Sequence, residues 1–77
     1  MNDRVNLINM LEERGYTVDY TQSSVEIVYN YLEEKQLFTE EELDLVTCVN
    51  GYTRNTLNDM IYARYGYQDL EQLLESE

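Results

Sequence analysis

Residues 23–51 read SSVEIVYNYLEEKQLFTEEELDLVTCVNG and contain the start signals of two helices. Ser23 with Glu26, and Thr39 with Glu42, have the spacing of a capping box, in which each side chain satisfies a free backbone N–H. Apolar residues follow each signal at helical spacing. The pattern therefore predicts helices over residues 23–36 and 40–50.

Glycines mark the ends of further helices, and the chain contains no proline. Gly15, Gly51 and Gly66 each follow an amphipathic segment, and glycine readily adopts the left-handed conformation that ends a helix. Further helices are predicted over residues 3–14, 54–65 and 68–75. Residues 1–77 thus predict an all-α fold, a compact bundle of four to five short helices in a single domain.

The secondary structure of residues 16–31 has two competing interpretations. Residues 16–20 alternate between apolar and polar side chains like a strand but have no convincing partner, so we interpret them as an extended connection. Because valine, isoleucine and tyrosine are enriched over residues 26–31, a strand there is the competing interpretation.

Projection of each helix at about 100° per residue predicts which side chains form the core. The second helix has the widest apolar side, which indicates a central position with neighbours on two sides. The predicted core positions are Leu7, Ile8 and Leu11; Val25, Ile27, Val28, Tyr29, Tyr31 and Leu32; Leu43, Leu45, Val46 and Val49; Leu57, Met60, Ile61 and Tyr65; and Leu70, Leu73 and Leu74.

The chain carries 16 Asp and Glu residues against 5 Lys and Arg residues, a net charge of −11. Such a field disfavours binding to nucleic acid or anionic membranes and steers the protein towards a protein partner with a basic surface. Neither a secretory leader nor an apolar run near the roughly 18 residues of a membrane span is evident. We therefore expect a complete small cytoplasmic protein. We leave open whether the protein forms a homodimer. A domain of this size buries only about 60% of the surface of its unfolded chain, and self-association would bury more.

Catalytic chemistry has no candidate group. The chain has no histidine, the usual side chain for proton transfer near neutral pH. Cys48 has no neighbouring cations to stabilise a thiolate, so we interpret it as structural, beside the apolar side of its helix. The acids at 40–44 lack the alternating loop of a calcium site. We predict no enzyme activity, no cofactor and no metal site.

Acidic residues concentrate between Glu26 and Asp44, where seven carboxylates and the single Lys35 leave a local charge of −6. Because two neighbouring helices contribute them, we expect one acidic surface that engages a basic groove. The alternative is that the charges only keep the protein in solution. The residues predicted to contact a partner are Glu26, Glu33, Glu34, Glu40, Glu41 and Asp44.

Helix 54–65 offers a second candidate partner-binding surface. Asn55, Asn58, Asp59 and Tyr62 are three or four residues apart and so lie on one side of the helix, opposite its predicted core. A tyrosine among amides is typical of binding surfaces, although single exposed aromatic residues are also ordinary.

The same helix supports a different class of function, a DNA-binding regulator. Helices 40–50 and 54–65 resemble a helix-turn-helix pair, with Thr53, Arg54, Asn55 and Asn58 at the start of the recognition helix. Against this, Thr47 and Asn50 replace apolar residues of the usual turn, and five cations offer few phosphate contacts. A structural or assembly factor that acts as an oligomer is a further alternative.

The C-terminal half contains the runs VNGYT (49–53), TLND (56–59) and YARYGYQDLE (62–71). With these motifs, residues 39–75 resemble short uncharacterised acidic proteins of phages and prophages of Gram-positive bacteria. The resemblance implies no established activity. It implies an accessory factor in the cytoplasm of the bacterial host, a class in which small acidic proteins often inhibit or modulate a host or defence protein.

Overall fold

Five α-helices form the fold in the computed structural model, which describes residues 3–76. The helices are α1 (Asp3–Glu13), α2 (Ser24–Glu34), α3 (Glu40–Asn50), α4 (Arg54–Tyr65) and α5 (Leu70–Glu75). No strand occurs within these described residues. The predicted all-α bundle is confirmed, and the alternative of a strand at residues 26–31 is wrong, because those residues lie inside α2.

Side-chain caps fix where four of the helices begin. Ser23, Thr39, Thr53 and Asp69 each accept a hydrogen bond from a backbone N–H in the first turn of the following helix. At α3 the capping box is complete, since the Glu42 carboxylate also accepts from the Thr39 N–H at 3.0 Å. The last helix begins at Leu70, two residues later than predicted, because Asp69 is its cap.

Two helices end in the same backbone motif, but only one of them uses glycine. After α1, Tyr16 N–H donates to the Leu11 carbonyl at 3.0 Å and Gly15 has a φ of 81°. After α2, Leu37 N–H donates to the Leu32 carbonyl at 3.0 Å, and the left-handed residue is Gln36 with a φ of 58°. This turn ends α2 at Glu34, two residues before the predicted end.

One hydrophobic cluster contains side chains from all five helices. The predicted core residues of α1 and α5 are buried, as are four of the six predicted in α2. Val18 and Phe38, which lie between helices, were not predicted and are also buried. The buried hydrophobic residues are Leu7, Ile8, Leu11, Val18, Ile27, Val28, Tyr31, Leu32, Phe38, Leu43, Leu57, Ile61, Leu70, Leu73 and Leu74.

The prediction that the aliphatic residues of α3 are buried is wrong for two of them. Leu43 is fully buried and Val46 is half-buried, but Leu45 is 66% exposed and Val49 is 73% exposed. The helix packs against α2 on one side and α4 on the other, and neither neighbour extends over the side that carries Leu45 and Val49. In α4, Tyr65 is also partly exposed instead of buried, because its hydroxyl donates to the Leu37 carbonyl at 2.7 Å.

The middle of the bundle is formed by α2 and α4. The first packs against α1, α3 and α4, and the second against α2, α3 and α5. The prediction that α2 is central is therefore confirmed. Among the helices of residues 3–76, none combines the length and the apolar character needed to cross a membrane.

Candidate protein-binding surface

The basic side chains are all engaged within the fold. Arg54 at the start of α4 forms an ion pair with Glu71 of α5 at 2.8 Å, and these side chains are only 19% and 15% exposed. Arg64 at the end of α4 pairs with Glu42 of α3, and its guanidinium lies 4.7 Å from the centre of the Phe38 ring. This pairing, followed by the Thr39 backbone N–H, lowers the pKa of Glu42 to about 2.

The other three cations also contact the chain itself. Arg14 donates to the carbonyl of Leu74 in α5, and Arg4 donates to the carbonyl of Gln22 at 2.9 Å. The Lys35 ammonium lies 6.0 Å from the centre of the Tyr16 ring. Most of the described carboxylates are exposed, as are Arg14, Lys35 and Arg64. The cations are therefore engaged in contacts within the chain, and because 16 acids stand against 5 cations the exposed charge is mostly negative.

Tyr29 of α2 brings acidic residues of two helices together. Its hydroxyl donates to the Asp44 carboxylate of α3 at 2.6 Å. This hydrogen bond raises the pKa of Tyr29, and burial and the charges of Asp44, Glu33 and Glu40 raise it further. The hydrogen bond therefore joins α2 to α3, and the charges of Glu33 on α2 and Glu40 on α3 act on the same phenol.

Tyr52, in the turn after α3, extends this cluster. Its ring meets that of Tyr29 edge to face, with centres 5.4 Å apart and planes at 63°. Burial raises the pKa of Tyr52, and the charge of Glu26 adds to the effect. We call the resulting set the tyrosine–carboxylate surface. It consists of Glu26, Tyr29, Glu33, Glu40, Asp44 and Tyr52.

Two residues of the predicted acidic surface lie elsewhere. Burial, followed by the hydrogen bond with Glu34, raises the pKa of Tyr16 to about 12. Tyr16 in turn packs edge to face on Tyr31 at 5.1 Å, so Glu34 belongs to the side of α2 next to the α1–α2 connection. Glu41 is exposed on α3, one helical turn before Leu45 and on the same side.

The predicted face of α4 is only partly presented to solvent. Asn55, Asp59 and Tyr62 are exposed, Tyr62 by 64%. Asn58 is half-buried, and its side-chain oxygen is buried with no hydrogen-bond partner among the described residues. Of the residues expected to read DNA, Arg54 is paired with Glu71 and the Thr53 hydroxyl caps α4.

A groove between α3 and α4 lies on the flank of α3 away from Tyr29. It has a volume of about 410 Å³ and is lined by Phe38, Glu42, Leu45, Val46, Met60, Ala63 and Arg64. Val49 continues the same side of α3 one turn beyond Leu45. The groove was not predicted because all four aliphatic residues of α3 were expected in the core, although together they occupy too wide an arc for one buried face.

Cys48 lies on the outer side of α3. Its side chain is exposed, so it does not contribute to the core. Within residues 3–76, no three Cys, Asp or Glu side chains are grouped so that they could hold a metal ion.

Comparison of the chain with protein-family models, curated proteins and solved structures gives no match.

Proposed function

We propose that this protein is a binding factor that docks onto a basic surface of a protein partner through the tyrosine–carboxylate surface. In line with the resemblance of residues 39–75 to small phage and prophage proteins, the proposed partner is a host or defence protein that is inhibited or modulated by the contact. The binding requires neither a cofactor nor catalysis.

The observation that carries this proposal is the arrangement of the charges. The five cations contact other groups of the chain. The Asp44 carboxylate accepts from the Tyr29 hydroxyl, and the charges of the exposed acids Glu26, Glu33 and Glu40 raise the pKa of Tyr52 or Tyr29. The negative charges of the tyrosine–carboxylate surface attract a basic partner and steer it into contact with this surface. Tyrosines supply contact area at low conformational cost, since each fixes only two side-chain torsions.

A matched pair of charge-reversed variants tests the proposal. Glu33→Lys with Glu40→Lys changes the proposed surface, and Glu13→Lys with Glu75→Lys makes the same change of charge at exposed sites elsewhere. Tagged protein is used to capture partners from a lysate of a Gram-positive bacterium, with identification by mass spectrometry. We expect the first pair to lose the partner and the second to keep it. Equal capture by both pairs would remove the surface from consideration.

A DNA-binding regulator is supported less well. The ion pair of Arg54 with Glu71 and the capping role of Thr53 leave the start of α4 with few groups for phosphates. A mobility shift on DNA at low salt that Arg54→Ala abolishes would favour the regulator. An assembly factor would instead be an oligomer by light scattering at micromolar concentration, with its tyrosines buried between subunits.

A further inference from the structure

The side of α3 opposite Tyr29 carries an apolar surface that the proposed function does not use. Leu45 and Val49 are 66% and 73% exposed and lie one helical turn apart. Single exposed aliphatic residues are ordinary, but these two stand together beside a groove with an apolar floor formed by Val46 and Met60. The pair is therefore placed to contact something that enters the groove.

The groove has the dimensions of a short helical ligand. Along α3 its lining extends from Glu42 to Val46. Val49 continues the same side of the helix for a further turn, so the side from Glu42 to Val49 measures two helical turns or roughly 10 Å at about 1.5 Å per residue. The wall formed by α4 contributes Met60 and Ala63. Helix-in-groove recognition uses apolar side chains spaced three or four residues apart along the ligand. Two turns of an amphipathic helix present such side chains over this length.

The charges beside the groove select the ligand. Glu41 lies one turn before Leu45 on α3, and Asp59 lies one turn before Ala63 on α4, so both walls have an exposed acid at their outer edge. The Arg64–Glu42 ion pair closes one end. A second copy of this chain would bring a charge of −11 and the same acidic edges against these walls, whereas a cationic helix would be attracted to both.

We propose that the α3–α4 groove binds an amphipathic helix whose apolar side chains contact Leu45 and Val49 and whose lysines or arginines face Glu41 and Asp59. This inference rests on the proposed protein-binding function and names the kind of partner segment that is bound. The groove and the tyrosine–carboxylate surface lie on the two flanks of α3, so one basic partner can cover both.

The probe that tests the groove is a fluorescently labelled peptide of leucine and lysine, patterned as an amphipathic helix. Its binding is measured by fluorescence anisotropy against wild-type protein and against Leu45→Gln combined with Val49→Gln. Both positions are exposed and glutamine keeps good helix propensity, so circular dichroism should be unchanged. We expect the double variant to bind about tenfold more weakly or worse, because both aliphatic side chains lose the favourable burial of apolar surface against the peptide.

The matched control for the protein is Val5→Gln, which removes an exposed aliphatic side chain from α1 (48% exposed). Its affinity should equal that of wild type. Two control peptides, one with glutamate for lysine and one with the same residues scrambled to remove the apolar face, should bind far more weakly. Equal binding by the double variant, or no binding of the leucine–lysine peptide to wild type, would overturn the groove proposal.

Two further outcomes distinguish a second copy of the chain from a helical ligand in the groove, and the groove proposal from the proposed function. If wild type is a dimer by light scattering and the Leu45/Val49 variant is a monomer, a second copy occupies the groove and the proposal is wrong. The Leu45/Val49 variant keeps every charge, so its result is independent of the Glu33/Glu40 reversal. Loss of partner capture in that reversal with unchanged peptide binding in the Leu45/Val49 variant would leave the proposed function standing without the groove.

Discussion

Tyr29 joins the candidate surface to the core. Its ring is partly buried and packs against the hydrophobic cluster, while its hydroxyl donates to Asp44 at 2.6 Å. A phenylalanine could fill the same space but would leave the Asp44 carboxylate without this donor. Tyrosine suits the position because it has an apolar ring and a polar end.

Tyr29→Phe should lower the free energy of unfolding by about 1 kcal/mol at neutral pH, the typical net contribution of such a hydrogen bond. It should also change the alkaline behaviour. Because the pKa of Tyr29 is raised in the fold above its ordinary value of 10.0, the unfolded chain loses this proton first. Its contribution is complete below pH 10 and declines above it, so the variant should lose less stability on the alkaline side.

Urea denaturation at several pH values measures both effects. Tyr62→Phe is the matched control, since this tyrosine is 64% exposed on α4 and should behave as wild type. A Tyr29→Phe protein as stable as wild type at neutral pH, with an unchanged alkaline decline, would contradict the role given to the hydrogen bond.

At the scale of the element, the end of α2 has an unexpected residue in a left-handed conformation. Gln36 has a φ of 58°, a region that costs an ordinary residue roughly 1–2 kcal/mol. The fold retains this turn because it places Leu37 and Phe38 directly after the helix, where Phe38 is buried in the core. Because no glycine stands at this position, no local signal marks the end of the helix.

Gln36→Gly should therefore stabilise the protein. The relieved backbone energy exceeds the added freedom of the unfolded chain, worth about 0.4–1 kcal/mol, so we expect a net gain of about 0.5–1 kcal/mol in thermal or urea unfolding. Ala63→Gly in the exposed interior of α4 should instead cost about 1 kcal/mol. A loss of stability in Gln36→Gly similar to that of Ala63→Gly would contradict the account of this turn.

The start of α3 depends on its complete capping box. Thr39→Ala removes the acceptor of the Glu42 N–H, which lies 3.1 Å from the Thr39 hydroxyl. We expect a loss of about 1 kcal/mol in the free energy of unfolding. Thr17→Ala, in the exposed connection after α1, should have little effect. Equal stability of the two variants would show that the cap is not needed.

Helix positions could be predicted from local signals, whereas the burial of α3 could not. Caps such as Ser23 and Thr39 act on the next turn of the chain, so they are visible in the sequence. The exposure of Leu45 and Val49 depends on where α2 and α4 pack against α3, which is a tertiary property. The periodicity of α3 showed a helix but did not show which part of its wide apolar arc is covered.

At the scale of the whole molecule, repulsion between like charges exceeds attraction between opposite charges. The few ion pairs, such as the exposed Arg64–Glu42 pair, contribute little individually. The remaining charge of a chain with a net −11 is self-repulsive. Repulsion among carboxylates should therefore outweigh the ion pairs in the response of the fold to salt.

We expect the melting temperature to rise as sodium chloride is increased from about 0.01 M to about 1 M, where the Debye length falls from about 30 Å to about 3 Å. Differential scanning calorimetry at constant pH measures this directly. Glu33→Lys with Glu40→Lys lowers the repulsion and should show a smaller rise. A melting temperature that falls with salt would mean that ion pairs dominate.

The candidate site could be predicted in part at this scale. The acidic composition and two adjacent acidic helices were sufficient to propose a surface around Glu33, Glu40 and Asp44. The separation of Glu34 from this surface could not be predicted, since it results from the contact of Glu34 with Tyr16 in the connection between α1 and α2. The pairing of Glu42 with Arg64 likewise joins residues 22 positions apart, which no local pattern reveals.

The most direct test is the affinity of the captured partner, measured by isothermal titration calorimetry for wild type and the two charge-reversed pairs. We predict that Glu33→Lys with Glu40→Lys weakens binding by about tenfold or more, while Glu13→Lys with Glu75→Lys has a much smaller effect, because local complementarity outweighs net charge at an interface. Equal weakening by the two pairs would contradict the claim that the tyrosine–carboxylate surface is where the partner docks.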